Sequence, residues 1–244
     1  MSRLDARPPA IVERRREMLH DHRRALAWAV VLGIALVALF VLMGNAVTRA
    51  SIDRFDLDLY EVVNRIRVGL VDEFAKVLDV LGSVWVTTPI RIGVAAWLIY
   101  RRRWAALSAW LLTWVFVEAS TSIAKVVYDR PRPPAPLVAT SGASFPSGHA
   151  SATAATAVCL VIVLLKPGRR RLRWELTAVG ITLLMASSRV FLNAHWFTDT
   201  VGGVLLGAAI AVGTAAMVSE VREVWWRHQT EADPEEAPPE PGPL

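Results

Sequence analysis

The sequence predicts an all-α, polytopic bundle of six transmembrane helices, with an interfacial helical segment between the first and second. Three observations carry that prediction. Of 244 residues, 54% are hydrophobic, and they come in long blocks that a soluble core does not need. The basic residues, 27 Lys and Arg against 22 Asp and Glu, gather in the N-terminal leader and in short connections between blocks. Compact polar clusters stand at the ends of apolar blocks, where charge beside a bilayer is expensive and is kept for function.

Residues 1–25 form a basic leader with Arg14, Arg15, Arg16, Arg23 and Arg24. The first block, 26–47, is longer than a signal-peptide core and no small-residue cleavage site follows, so it reads as a retained transmembrane helix. Segment 52–81 mixes Phe55, Leu59, Val63, Ile66, Phe74 and Leu78 with many charges. Helical spacing gives it one apolar face, which suits an interfacial helix or helical pair, or a helical lid packed on the bundle, equally well. Blocks 83–100, 104–125, 149–166, 174–191 and 200–219 complete six spans. Each is near the ~20 residues a helix needs to cross ~30 Å of hydrocarbon. Together 26–219 form the membrane domain. From 229 to 244 the chain is rich in Pro and Glu and is expected to be disordered.

Arg101-Arg102-Arg103, the run Lys166 to Arg173, the leader and the segment Arg222 to Arg227 all fall on one side of a six-span chain. The positive-inside rule makes that side the cytoplasm, with both termini, and predicts a multi-pass protein of the plasma membrane. The connections near 48–82, 126–148 and 192–199 then lie outside, and all three polar clusters lie with them. Basic residues used in this way leave no basic face for nucleic acid. Cys159, inside an apolar block, is a small packing residue. Arg91 and Glu118 sit at similar depth from the outer ends of their spans and are expected to pair. Gly203-xxx-Gly207 reads as close helix packing. Neither His149 nor His195 has a metal-ligand partner at zinc spacing, so neither a metal nor another cofactor is expected.

The clusters are Lys125-x6-Arg132-Pro133, Pro146-Ser147-Gly148-His149, and Ser188-Arg189-x5-His195-x3-Asp199. Cations, a helix start and two imidazoles suit the handling of phosphate. His195 is the candidate nucleophile. Asp199, four residues on, shares its helix face and would orient one ring nitrogen. His149 is the candidate general acid and base. Lys125, Arg132 and Arg189 are candidate ligands of the non-bridging oxygens. Ser147 and Gly148, at a helix start, are candidates for seating the phosphate. Taken singly, each has a plain structural reading: a helix cap for Ser147 or Asp199, an interfacial ring for His195, headgroup contact for a cation. Arg130, beside the first motif, is expected at the surface.

In order, spacing and placement these residues resemble the three signature motifs of the type-2 phosphatidic acid phosphatase superfamily, across residues 55–218. The resemblance implies a six-helix, metal-independent phosphatase working through a phosphohistidine. Its substrate would be a lipid phosphate or diphosphate entering from the bilayer: phosphatidic acid, phosphatidylglycerol phosphate, or an undecaprenyl or other polyprenyl diphosphate. An outward-facing site suits recycling of a polyprenyl diphosphate carrier. A phosphotransferase using the same site, and a non-catalytic lipid-binding or transport protein, are the rival readings. The short loops look bacterial, and oligomeric state is not legible.

Overall fold

The computed structural model describes the backbone of residues 10–166 and 168–232, and side chains from 26 to 225 apart from residue 167. Among these, the chain forms eight helices and no strand: α1 (Ala10–Gly44), α2 (Ala46–Arg65), α3 (Gly69–Leu81), α4 (Val84–Tyr100), α5 (Trp104–Tyr128), α6 (Gly148–Leu164), α7 (Arg169–Phe191) and α8 (Phe197–Ala232). The helix α8 continues to Ala232, into the segment expected to be disordered; the rest of that tail, and the side chains of the leader, lie outside the described residues.

Among the described residues, three helices are long and apolar enough to span a membrane: Leu26–Gly44 within α1, all of α5, and Phe197–Trp225 within α8. The pair α3 and α4, bent by 45° across a short break, counts as a fourth if taken as one broken span. By length and composition, three or four of the six expected spans are recognised. The reason is local. The helix α6 has only 17 residues, and α7 opens on the basic run Arg169 to Arg173. Large apolar residues such as Trp28, Ile34, Val115 and Leu183 are exposed along the helices, as lipid rather than water around the bundle would require.

Local chemistry sets the breaks. The Asn45 side chain accepts the N–H groups of Val47 (3.0 Å) and Thr48 (3.3 Å), ending α1 and starting α2. Asp129, left-handed at φ 34°, ends α5. The segment 52–81 is thus two helices, and both are tied to the polar end of the bundle. Arg67, in their turn, donates to the Phe191 carbonyl at 2.8 Å, and the Tyr60 hydroxyl reaches the Pro134 carbonyl at 3.3 Å.

The centre of the bundle is α6, packed on α5, α7 and α8. Small residues set how close α8 comes. A Cβ on Gly203 would lie 2.5 Å from the Ser147 carbonyl oxygen, and one on Gly207 would lie 2.2 Å from that of Ser151. Only glycine allows this approach. It brings the start of α8, with Asp199, against the start of α6, with His149. Lower in the bundle, the expected pair forms: Arg91 Nη1 lies 2.9 Å from Glu118 Oε1. Arg91 Nε also donates to the Thr156 hydroxyl at 3.1 Å, while Glu118 remains more than half exposed at the bundle's outer surface.

Candidate active site

The site forms where the start of α6, the end of α7 and the start of α8 meet the loop 129–147. His195 closes a tight turn after α7. Its N–H and that of Ala194 both point to the Arg189 carbonyl (3.3 and 3.0 Å), and Asn193 turns the chain at φ 53°. The ring is buried. Its Nδ1 faces Asp199 Oδ2 at 3.6 Å, an ion-pair separation just beyond hydrogen-bond reach. Its Nε2 lies 3.2 Å from Arg132 Nη1. A guanidinium can only donate, so Nε2 carries the lone pair and Nδ1 the proton. Burial lowers the imidazole pKa to about 4, opposed by Asp199 and helped by Arg132 and Lys125, so the ring is neutral at pH 7.

Asp199 has no exposure and accepts three hydrogen bonds through its carboxylate. Oδ2 accepts the Trp196 N–H at 2.9 Å and the Ser144 hydroxyl. Oδ1 accepts Arg130 Nη1 at 2.7 Å. The Trp196 contact is the reach-back of a third-position carboxylate to its helix cap. Asp199 is therefore both the helix-cap group and the partner of His195; the two readings of this residue coexist.

Arg130 does not lie at the surface as expected. It is 2% exposed and is the hub of this side of the site. Besides Asp199 it donates to the Thr198 hydroxyl (2.9 Å), Asp53 (2.5 Å) and Asp56 Oδ2 (2.8 Å), and its guanidinium lies 5.7 Å from the Trp196 ring centroid. Burial opposes its charge, but the three carboxylates outweigh that and raise its pKa above the usual value. Asp56, on α2, is fully buried and also accepts the Thr198 N–H at 3.0 Å, satisfying one of the free donors at the start of α8. The only sequence signal for these residues was the i, i+3 spacing of Asp53 and Asp56 on one helix face.

The motif cations surround the same space. Arg132 is pinned by carbonyl oxygens of Gly142 (2.9 Å), Ser141 (2.8 Å) and Ala194 (2.7 Å). Burial lowers its pKa, with Arg189 adding to the effect and Asp199 opposing it. Lys125, at the end of α5, donates to the Ala143 carbonyl at 2.6 Å. Ser147 is buried; its hydroxyl accepts the Ala150 N–H at 3.5 Å, capping α6, and its own N–H donates to the Asp199 carbonyl at 2.9 Å. Gly148 has open space beside its Cα. The α6 start thus offers unpaired N–H groups and a positive dipole end toward the site. His149 and Arg189 meet at a residue the sequence did not single out, Asp79 on α3. Its Oδ1 accepts a short hydrogen bond from Arg189 Nη1 and lies 3.4 Å from His149 Nε2. All eight candidate residues therefore lie around the junction of α5, α6, α7 and α8 with the loop 129–147.

This arrangement of two imidazoles, one orienting carboxylate and a ring of cations coincides with a family match. The PAP2 superfamily model matches residues 104–223, from the start of α5 through the start of the last part of α8. Residues 104–223 belong to the PAP2 superfamily. Its members are phosphatases of phosphate esters and diphosphates, and the chain is an enzyme of that class. Phosphatidylglycerophosphatase B of Bacillus subtilis (strain 168) is 27% identical over 180 residues, covering 71% of this chain and 88% of that protein. An undecaprenyl-diphosphatase of Sulfolobus acidocaldarius is 26% identical over 164 residues, covering 64% and 75%. The crystal structure of the transmembrane PAP2-type phosphatidylglycerolphosphate phosphatase from Bacillus subtilis superposes with a TM-score of 0.68 at 25% identity, covering 79% of this chain and 96% of that one. Aquifex aeolicus LpxE shares the fold, with a TM-score of 0.54 at 22% identity, covering 65% and 93%. The segment carrying Asp53, Asp56 and Asp79 lies before the matched PAP2 region.

Proposed function

We propose that this chain is an integral-membrane, metal-independent phosphatase that hydrolyses lipid phosphates or diphosphates through a phosphohistidine on His195. The observation that carries the reading is the state of that ring: neutral, with its proton toward Asp199 and the Nε2 lone pair facing the cations. Nε2 attacks phosphorus, and the bond to the leaving oxygen breaks. His149 delivers a proton to that oxygen, which departs as an alcohol or, from a diphosphate, as a phosphate ester. Asp199 stabilises the imidazolium character that develops at His195. Lys125, Arg132 and Arg189 hold the three equatorial oxygens, whose charge is the main target of stabilisation in phosphoryl transfer. His149, now a base, takes a proton from water as the water oxygen attacks the phosphohistidine; inorganic phosphate leaves and Nε2 regains its lone pair.

In this reading the chain crosses the membrane six times, α6 and α7 included, with both termini in the cytoplasm and the site at the outer face of the plasma membrane. An apolar groove of about 410 Å³ between α1 and α5, lined by Leu36, Val37, Phe40, Val41, Gly44 and Tyr128, opens at the bundle surface. Tyr128 is one helical turn from Lys125, so an acyl or prenyl chain in this groove brings its headgroup toward the cations. Phosphatidylglycerol phosphate and undecaprenyl diphosphate head the candidate substrates, being named for the two relatives; phosphatidic acid completes the set.

The test is phosphate release by detergent-purified protein from that panel, with and without EDTA, wild type beside His195→Ala. EDTA-resistant release that disappears in the variant is the expected result. Folded protein that releases phosphate from none of them would move the reading to a transferase awaiting its acceptor.

A further inference from the structure

Asp79 does not behave like the other carboxylates near the site. Asp56 and Asp199 are fully buried and each accepts several donors. Asp79 has a side chain about one quarter exposed (26%) and stands on the last turn of α3, just before the 45° break that joins α3 to α4. One oxygen, Oδ1, accepts from Arg189 Nη1 and also lies 3.4 Å from His149 Nε2, which makes no hydrogen bond among the described residues. These are a phosphate ligand and the general acid of the proposed reaction, and they converge on a single anionic oxygen.

A carboxylate oxygen and a phosphate oxygen present the same acceptor to a guanidinium. The two cannot share this position, because like charges in contact with one cation in a partly buried site repel each other. A second observation shows that Asp79 fills the position incompletely. Arg189 Nε is buried and meets no acceptor among the described residues. A guanidinium donates through two edges, and a single carboxylate oxygen has answered one nitrogen only. A tetrahedral anion could take both.

We infer that Asp79 is an internal counter-anion of the site: it occupies the seat of the phosphate on Arg189 and beside His149, and substrate must displace it. The inference rests on the proposed roles of those two residues. Its consequence is competition. The affinity for any phosphate is lowered by the fraction of molecules in which Asp79 holds the seat. Weak binding of the product phosphate follows from the same device.

The experiment is inhibition by inorganic phosphate of the hydrolysis of a radiolabelled lipid phosphate, comparing wild type with Asp79→Asn. Asparagine keeps the size and removes the charge. The expected result is inhibition by phosphate at concentrations on the order of 10-fold lower in the variant. Unchanged or weaker inhibition overturns the inference and makes Asp79 a brace for His149. A second measurement needs no variant. Amide hydrogen exchange of wild type across 69–81, with and without saturating phosphate, should show faster exchange at the end of α3 when phosphate binds, because its tie to Arg189 is lost. Equal or slower exchange overturns the inference. Failure of the underlying reading looks different: wild type would then release no phosphate from lipid, whereas failure of this inference leaves an active wild type with Asp79 inert toward phosphate.

Discussion

His195 and His149 face one site from opposite sides, and they are held in different ways. Around His195 the contacts are closed. Asp199 is held by Trp196, Ser144 and Arg130, and Arg130 is in turn held by Thr198, Asp53 and Asp56. Nothing in that chain of contacts needs to move for Nε2 to react, apart from the Arg132 contact. Around His149 there is one carboxylate, partly exposed, on a helix joined by a bend. A nucleophile benefits from a fixed ring, because a misplacement of about 1 Å costs on the order of 100-fold in rate. A general acid must meet a leaving group that arrives and departs. The rigid half and the yielding half of the site match those two tasks.

The contrast can be broken from either side. The largest effect is expected at the nucleophile: His195→Gln should lower kcat/KM by at least roughly 10,000-fold with the fold retained, since no other group supplies the attacking atom. Steady-state release from a lipid phosphate checks it, and a loss below 10-fold would remove His195 from the mechanism. Arg130→Met attacks the closed half through its hub. It leaves Asp56 and Asp199 buried without their cation, and a stability loss of about 3–5 kcal/mol is expected from such a break. Thermal unfolding in detergent reads it; a melting point equal to wild type would show that the hub is dispensable. His149→Gln removes the yielding half and should lower kcat by about 100- to 10,000-fold. The loss should shrink for a substrate with a better leaving group, whose oxygen needs no proton. An equal loss for both substrates would deny His149 the role of acid.

Two smaller effects sharpen the picture. The pair Arg91 and Glu118 sits below the site, and charge reversal at Arg91 should destabilise the fold, with the double swap Arg91→Glu, Glu118→Arg recovering part of the loss. No recovery would mean that Arg91 answers mainly to Thr156 and the Ala152 carbonyl. The smallest effect concerns pH. His195, with its pKa lowered to about 4, stays unprotonated as pH falls through the ordinary histidine range. Its protonation therefore contributes no acid limb to kcat/KM until pH drops below about 5. A His195 titration near 6.5, followed by NMR of the labelled ring, would show a solvated ring and deny the closed half its burial.

The sequence made the motif residues legible because their chemistry is costly beside apolar blocks. A lysine, two arginines and two histidines stand out there, and the structure gathers them. The Arg91–Glu118 pair and the close approach at Gly203 and Gly207 were legible for the same reason, as each is a local departure from an apolar helix. Arg130 was not. A lone arginine at a membrane surface has an easy alternative in headgroup contact, and what buries this one is a set of carboxylates some 70 positions away in the chain. Asp56 and Asp79 were lost within a segment where charges are common. Only tertiary packing distinguishes Asp56, fully buried, from its exposed neighbour Asp53. The number of spans is the least legible feature: block lengths alone suggest six, but α6 has only 17 residues and α7 opens on arginines, so neither meets the length and composition of an isolated span.

The phosphohistidine on His195 is the centre of this account, and trapping it is the most direct test. Wild-type protein would be mixed with a 32P-labelled lipid phosphate, quenched within milliseconds in base, and digested for mass spectrometry. The account predicts an acid-labile, base-stable phosphate on the peptide carrying His195, which forms and decays at rates that match turnover. Turnover with no labelled enzyme at any time, or label on any other residue, would contradict it.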